Sequence, residues 1–171
     1  MPVPDFIRKL RAHIGTELLL VPTVAVVAHD NAGRLLMVRD RDTGLWGFPG
    51  GIVEPLEVPA DAAVRETWEE AGVHVELTCV VGVFGGPDCT TTYANGDRLN
   101  WVATVFSARA LGGRPRPDTA ETSAARFLDE DEMASIAIRD VALRFLAAAR
   151  GAPAGVHFAR ATWRPGGTGN A

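Results

Sequence analysis

Three glutamates, Glu66, Glu69 and Glu70, stand close together in a stretch that has a helical pattern. On a helix with 3.6 residues per turn they fall at i, i+3 and i+4 and therefore share one face. Like charges at this spacing destabilise a helix, and clustered carboxylates raise one another's pKa unless a cation is present. Hard divalent cations prefer such oxygen ligands. From the spacing alone, a solvated acidic face supported by an Arg65–Glu69 pair is favoured, and a metal site is the alternative.

The surrounding residues favour the metal site. Residues 51–73 read GIVEPLEVPADAAVRETWEEAGV and resemble the Nudix box, G-x5-E-x7-R-E-U-x-E-E-x-G-U, where U is apolar. Seven positions require one residue type, so at about 7% each a chance match is on the order of one in 10⁸ per window. The matching residues are Gly51, Glu57, Arg65, Glu66, Glu69, Glu70, Gly72 and Val73. Residues 44–51, GLWGFPGG, look like the family's lead-in. Leu56, where glycine is common, and Thr67, in an apolar slot, depart from the pattern without removing a ligand.

This resemblance implies a fold and an activity for residues 18–150. The fold is an α/β (α+β) Nudix fold, a mixed β-sheet sandwiched between helices. The activity is metal-dependent hydrolysis of a diphosphate linkage in a nucleoside-diphosphate derivative: ADP-ribose, a nucleotide sugar, an NTP or a dinucleoside polyphosphate. The cofactor is Mg²⁺ or Mn²⁺, and a homodimer is one option for the assembly.

Two other functions occur on this fold. A nucleotide-sensing module without turnover usually lacks box glutamates, which this chain keeps. An isomerase of isoprenoid diphosphates would need a catalytic cysteine, and neither Cys79 nor Cys89 lies in such a context.

The resemblance also assigns roles at the site. Glu66, Glu69 and Glu70 bind metal, and the carbonyl of Gly50 is a further candidate ligand. Arg65 braces the loop by pairing with Glu57 or Glu69, so both Arg65 and Glu57 count among the catalytic residues. The general base is Glu66 or a carboxylate outside the box. Glu121, which precedes a predicted strand, is the outside candidate for base and metal ligand; a solvated loop glutamate is an equal alternative.

The substrate side rests on weaker patterns. Arg39 and Arg41 flank the loop before the box and are candidates for phosphate contacts, or for surface pairs with Asp40 or Asp42. Trp46 and Phe48 are candidates for stacking on a base, or for packing in the core. Further candidates for the pocket are Tyr93 and Trp101. The four histidines show no ligand spacing.

Periodicity predicts the elements that position these residues. Apolar residues at helical spacing and runs of branched residues indicate helices and strands. The box helix should start near Pro59, stop at Gly72 and anchor through Ala60, Val64, Thr67, Trp68 and Ala71. Turns are predicted at 30–33, with 35–38 as the hairpin partner of the preceding strand, and at 94–97. The predicted helices are 4–14, 58–71 and 138–149; the predicted strands are 18–27, 35–38, 74–84, 98–108 and 124–128.

Composition bounds the class of protein. The chain has 171 residues, 47% hydrophobic and 22% charged, with a net charge of −4, which is typical of one globular domain and gives no basis for nucleic-acid binding. No apolar stretch is long enough for a membrane span, and no signal peptide is recognisable. Two unpatterned cysteines predict a cytoplasmic protein. We expect an N-terminal extension (1–17), the Nudix domain (18–150) and a C-terminal tail (151–171), flexible or docked through Trp163.

Overall fold

A computed structural model describes residues 4–93, 95–151 and 155–161. Four helices and seven strands follow one another within these residues. In chain order they are α1 (Asp5–Ile14), β1 (Leu18–His29), β2 (Leu35–Asp40), β3 (Trp46–Gly47), α2 (Pro59–Ala71), β4 (Val73–Phe84), β5 (Thr90–Thr92), β6 (Arg98–Gly113), β7 (Thr122–Leu128), α3 (Glu130–Ala134) and α4 (Asp140–Gly151).

The strands form one mixed sheet in the order β3-β2-β1-β6-β4, with β5 beside β6 and β7 beside β2. β1 and β6 run parallel along their whole paired length, and the other neighbours are antiparallel. α2 covers one face of the sheet, while α3 and α4 cover the other. The predicted fold class, a mixed sheet between helices, is confirmed.

The central strand β1 shows why two covering layers are needed. Alternate residues of a strand point to opposite faces. Val24, Val26 and Ala28 lie in the core under α2, and Ala25 and Val27 lie in the core under α4. A continuous apolar run is therefore buried on both sides, as in strands covered by helices on both faces.

The hairpin predicted after β1 closes at a single residue pair, His29 with Leu35. Beyond it β2 pairs with β3 and β7 instead. The freed edge of β1 is taken by the loop at 49–53. Val24 donates to the Gly51 carbonyl at 2.9 Å and Val26 to the Pro49 carbonyl at 2.9 Å. The loop that enters the box is thus hydrogen-bonded to the central strand.

The box helix α2 begins at Pro59 and its C-cap, Gly72, is left-handed (φ 66°), as the sequence predicts. Elsewhere β6 runs on to Gly113, β7 starts at Thr122, and the short elements β5 and α3 were not predicted. α3 does carry a local signal, because Asp129 and Glu132 form a capping box.

Described residues near both ends of the chain contact the sheet. α1 packs through Ile7 against Val21 and Leu99. His157 bonds to Val81 and Val83 of β4, at 2.9 and 3.0 Å, so the described part of the tail docks through His157. The predicted anchor Trp163 lies outside the described residues. Within the part of the chain that the structure describes, no helix is long and apolar enough to cross a membrane.

Candidate active site

The three box glutamates do not share one exposed face. Glu66 and Glu70 are 1% and 8% exposed, whereas the Glu69 side chain is 43% exposed. Both buried carboxylates lie on the side of α2 that carries Ala62, Ala63 and Ala71. The predicted anchoring face is therefore wrong at Ala60 and Trp68, both of which are exposed. Because the loop at 49–53 covers this side of the helix, it buries carboxylates that helical periodicity alone assigns to solvent.

Thr67, which departs from the apolar pattern, is fully buried and its hydroxyl donates to the Ala63 carbonyl at 2.7 Å. The hydroxyl is satisfied within its own helix, so the departure costs the core no unpaired polar group. Leu56 has φ 70° and is fully exposed. It adopts the left-handed conformation that glycine adopts freely, so the turn before Glu57 keeps its path.

The two glycines of the lead-in make room for these carboxylates. The Gly50 amide donates to Glu70 Oε2 at 3.0 Å. A Cβ added to Gly51 would lie 2.4–2.6 Å from the carboxyl atoms of Glu66, so this carboxylate packs directly on the Gly51 backbone. A Cβ on Gly50 would lie 2.2 Å from the Val24 carbonyl oxygen. The loop contacts the strand on one side and the helix on the other, and neither contact leaves space for a side chain.

Arg65 connects the loop to the helix. Its guanidinium bonds Glu57 at 2.8 and 2.9 Å, Glu66 at 2.9 Å, Glu69 at 3.0 Å and the Ile52 carbonyl at 3.2 Å. It therefore contacts both of its predicted partners and one of the buried carboxylates. Charge-assisted bonds of this kind are short and directional, and so they fix the position of the residues that make them.

Burial dominates the electrostatics of the two inner glutamates. It raises the pKa of Glu66 to about 7, with the charges of Glu69 and Glu121 acting in the same direction and Arg65 opposing it. Burial likewise raises the pKa of Glu70 to about 8, assisted by Glu66 and Glu121 and opposed by the Gly50 amide. Two adjacent buried carboxylates whose pKa values are raised in this way form a site that favours a cation or a proton.

Glu121 lies in the loop before β7, close enough for its charge to act on both Glu66 and Glu70. Its backbone is held because the Arg41 amide donates to its carbonyl at 2.8 Å. Asp118 and Thr122, which lie nearby, were not predicted as site residues, although an Asp in a Pro-rich turn signals local side-chain bonds to the backbone. Thr122 is buried, with its hydroxyl 3.2 Å from the Glu70 carbonyl oxygen.

The structure spreads the predicted substrate residues over different environments. Trp46 is 8% exposed in the core under α4, and Phe48 packs partly buried against the same core, so core packing describes both better than stacking on a base. Trp101 is also partly buried against that core, whereas Tyr93 is exposed.

The two predicted phosphate-binding arginines make backbone contacts. The Arg39 side chain bonds the Gly44 carbonyl at 2.9 Å, and Arg41 bonds the Thr119 carbonyl. Both arginines are exposed. Asp40, a predicted surface partner, pairs instead with Arg139 at 2.5 Å.

The donor chemistry of the site suits a hard divalent cation. Carboxylate oxygens of Glu66 and Glu70 and the carbonyl of Gly50 are oxygen donors of the kind that Mg²⁺ and Mn²⁺ take. Within residues 4–93, 95–151 and 155–161, no three carboxylate, imidazole or thiol groups converge closely enough to enclose an ion. Arg65 bonds one oxygen of Glu66, Oε1, and the Gly50 amide bonds one oxygen of Glu70, Oε2.

Known proteins resemble this chain over most of its length. The family model described as NUDIX domain matches residues 19–149. A MutT-like protein of Streptomyces ambofaciens is 37% identical over 130 residues, which cover 76% of this chain and 77% of the relative.

Solved structures share the fold. A MutT NUDIX hydrolase from Burkholderia pseudomallei has a TM-score of 0.61 at 26% identity, over 75% of this chain and 97% of that one. An ADP-ribose pyrophosphatase from Streptococcus suis has a TM-score of 0.62 at 24% identity, over 81% of this chain and 96% of that one.

Proposed function

We propose that this chain, which belongs to the NUDIX domain family of diphosphate-cleaving hydrolases, acts on a nucleoside-diphosphate derivative. ADP-ribose, a nucleotide sugar, an NTP and a dinucleoside polyphosphate are the candidates. The observation that carries the proposal is the pair Glu66 and Glu70, buried against Gly50 and Gly51 beside Arg65. Net charge −4 provides no general attraction for such an anionic substrate, so the site must supply it locally.

Nudix hydrolases generally use divalent metal ions. We propose that Glu66, Glu69, Glu70 and the Gly50 carbonyl hold Mg²⁺ or Mn²⁺ here, with Glu121 as a further ligand or as the base. When bound, such an ion neutralises phosphate charge and lowers the pKa of an attacking water. The retained glutamates support turnover over nucleotide sensing alone.

The chain's own residues have two proposed tasks. Arg65, bonded to Glu57, Glu66 and Glu69, keeps the helix and its entering loop in one arrangement, so that the carboxylates do not have to be ordered during the reaction. Glu66 or Glu121 accepts the proton of the attacking water at its carboxylate. Burial brings the pKa of Glu66 close to 7, where a base works best near neutral pH.

A substrate panel tests the proposal. The protein is incubated with Mg²⁺ or Mn²⁺ and with each candidate substrate, and products are separated by anion-exchange chromatography. We expect metal-dependent cleavage of at least one substrate, abolished by EDTA. We expect Glu70→Gln to lower kcat by on the order of a hundredfold or more, as the loss of one electrostatic contributor does.

The matched control is Glu76→Gln. Glu76 is an exposed glutamate on β4 that pairs with Arg109. This variant should retain wild-type turnover. Absence of metal-dependent turnover on every substrate, or full activity of Glu70→Gln, would contradict the proposal.

Location and assembly are proposals as well. Cys79 is exposed, Cys89 is buried, and both are free thiols, which suits the reducing cytoplasm that we propose. A homodimer is tested by light scattering on the purified chain.

A further inference from the structure

The segment 116–122, here called the strap, is fastened to the end of the box helix. The Arg116 amide donates to the Ala71 carbonyl at 2.9 Å, and the Thr122 hydroxyl lies 3.2 Å from the Glu70 carbonyl oxygen. These are the last two carbonyls of α2, which have no partner within the helix. The Arg116 guanidinium also lies over the Trp68 ring, 5.6 Å from its centre. Both ends of the strap are therefore held by the helix that carries Glu66 and Glu70.

One carboxylate organises the strap from inside. Oδ1 of Asp118 accepts from the backbone amides of Ala120, Glu121 and Thr122 at 3.0, 3.1 and 2.9 Å. The Thr122 hydroxyl oxygen in turn accepts from the Asp118 amide at 3.1 Å. The single hydroxyl proton of Thr122 is within reach of both Asp118 Oδ1, at 3.0 Å, and the Glu70 carbonyl. Asp118 and Thr122 thus fold the strap and join it to Glu70.

Glu121 is placed by this arrangement. Its amide is bound by Asp118, and its carbonyl accepts from the Arg41 amide at 2.8 Å. The next residue, Thr122, is 2% exposed and reaches the backbone of Glu70. Thr119 within the strap has φ 68°, a backbone conformation that a threonine keeps only when its surroundings hold it.

We propose that Asp118 and Thr122 are positioning residues that hold Glu121 beside the Glu66–Glu70 pair. The inference rests on the proposed function and deepens it, because it assigns a task to residues outside the box. A glutamate on a loop contributes to a metal or proton-transfer site only when its backbone is fixed to within about half an ångström. Asp118 provides this fixation through bonds to three consecutive amides, and Thr122 links the fixed loop to the helix.

Double-mutant kinetics test the inference on the panel substrate that the wild type cleaves fastest. We expect Asp118→Ala and Glu121→Gln each to lower kcat about tenfold with KM changed less than about twofold. If Asp118 acts through Glu121, the double variant is no slower than Glu121→Gln alone, because both substitutions then remove the same contribution of Glu121 to kcat. Multiplying effects would overturn the inference.

Two further variants separate positioning from general stability. Thr122→Val removes the hydroxyl at nearly constant volume and should lower kcat, whereas Thr122→Ser keeps the hydroxyl and should restore it. The matched control is Asp30→Ala. Asp30 Oδ1 accepts from the Ala32 and Arg34 amides, both at 2.9 Å, in the turn after β1. Six residues, about 20 Å of extended strand, separate this turn from Val24, which bonds the Gly51 carbonyl beside the site. Asp30→Ala should lower the melting temperature and leave kcat unchanged; an equal loss of kcat there would overturn the inference.

Mn²⁺ binding supplies a readout that is independent of turnover. The protein is titrated with Mn²⁺ alone, and free Mn²⁺ is followed by electron paramagnetic resonance. We expect Asp118→Ala and Glu121→Gln to weaken binding to the same extent, and the double variant to weaken it no further. If the wild type cleaves no panel substrate but shows this pattern, the proposed function fails and the inference stands. Wild-type Mn²⁺ affinity and wild-type kcat in Glu121→Gln would overturn it.

Discussion

At the scale of single residues, the site depends on two glycines as much as on its glutamates. Buried carboxylates normally cost several kcal/mol unless they are paired or bonded. Here the Gly50 amide bonds Glu70, and Arg65 bonds Glu66. Only glycine, which has no Cβ, lets the backbone approach a carboxylate this closely. The Gly-Gly pair is therefore explained by packing, since neither glycine has a positive φ.

We predict opposite phenotypes for alanine at the two glycines. Gly51→Ala pushes the Glu66 carboxylate, because the new Cβ would lie 2.4 Å from its nearest oxygen; we expect kcat to fall tenfold or more with a melting temperature within a few degrees of wild type. Gly50→Ala meets the Val24 backbone at 2.2 Å and should destabilise the fold by about 3 kcal/mol.

Urea unfolding and kcat measured on both variants check this prediction. Gly112→Ala is the control, since a Cβ there meets nothing within 4 Å. A stable Gly50→Ala protein, or a fully active Gly51→Ala protein, would show that the loop shifts more easily than its contacts suggest.

At the scale of elements, two strand edges of the sheet receive partners from segments outside the sheet. The loop at 49–53 covers part of β1, and the tail residue His157 covers part of β4. Unpaired strand edges invite association with other chains, so covering them has a physical benefit. The His157 ring also stacks on Phe84, with ring centres 4.8 Å apart. A single bridge at His157 therefore joins the described part of the tail, which is exposed, to β4.

We predict that Gly82→Ala releases this tail. A Cβ at Gly82 would lie 2.7 Å from the His157 backbone oxygen, which cannot move without breaking its bond to Val83. Hydrogen exchange of peptides covering 155–161 should become faster by tenfold or more, while the box helix keeps its protection. Gly112→Ala is again the control. Unchanged exchange at 155–161 would show that the tail is held by contacts other than this bridge.

At the scale of the whole molecule, the Arg65 guanidinium controls part of the protein's stability to unfolding at acid pH. Hydrogen bonds from Arg65 hold the pKa of Glu57 below its ordinary value of 4.5. A depressed carboxyl pKa stabilises the folded state above the ordinary value, and this stability is lost as pH falls through the depressed pKa. Glu57 and Arg65 are mostly buried by one another and their surroundings, so solvent screens the pair only in part.

We predict that Glu57→Gln flattens the acid limb of the stability curve. As pH falls from the ordinary carboxyl pKa through the depressed pKa of Glu57, the wild-type unfolding free energy should fall more steeply than that of the variant, as measured by urea unfolding in EDTA. Glu76→Gln is the control, because its pair with Arg109 is more than half exposed and contributes little. Parallel acid limbs for wild type and Glu57→Gln would contradict the prediction.

Local signals made much of this protein predictable from its sequence. Pro59 and Gly72 bound the box helix because proline suits a first turn and glycine suits a left-handed cap. The Asn95–Gly96 turn and the apolar run of β1 are local in the same way. The residue types and spacing of the box likewise determined the family and the class of reaction.

Only the tertiary structure decided which residues far apart in the sequence contact one another at the site. Helical periodicity places Glu66, Glu69 and Glu70 on one face, but only the loop at 49–53 packing on α2 separates two buried carboxylates from an exposed one. The position of Glu121 depends on a strap fastened to a helix some fifty residues earlier, as the separation of 52 between Thr122 and Glu70 shows. Spacing along a chain encodes local conformation, whereas burial and its effect on pKa depend on which remote backbone fills the space beside a side chain.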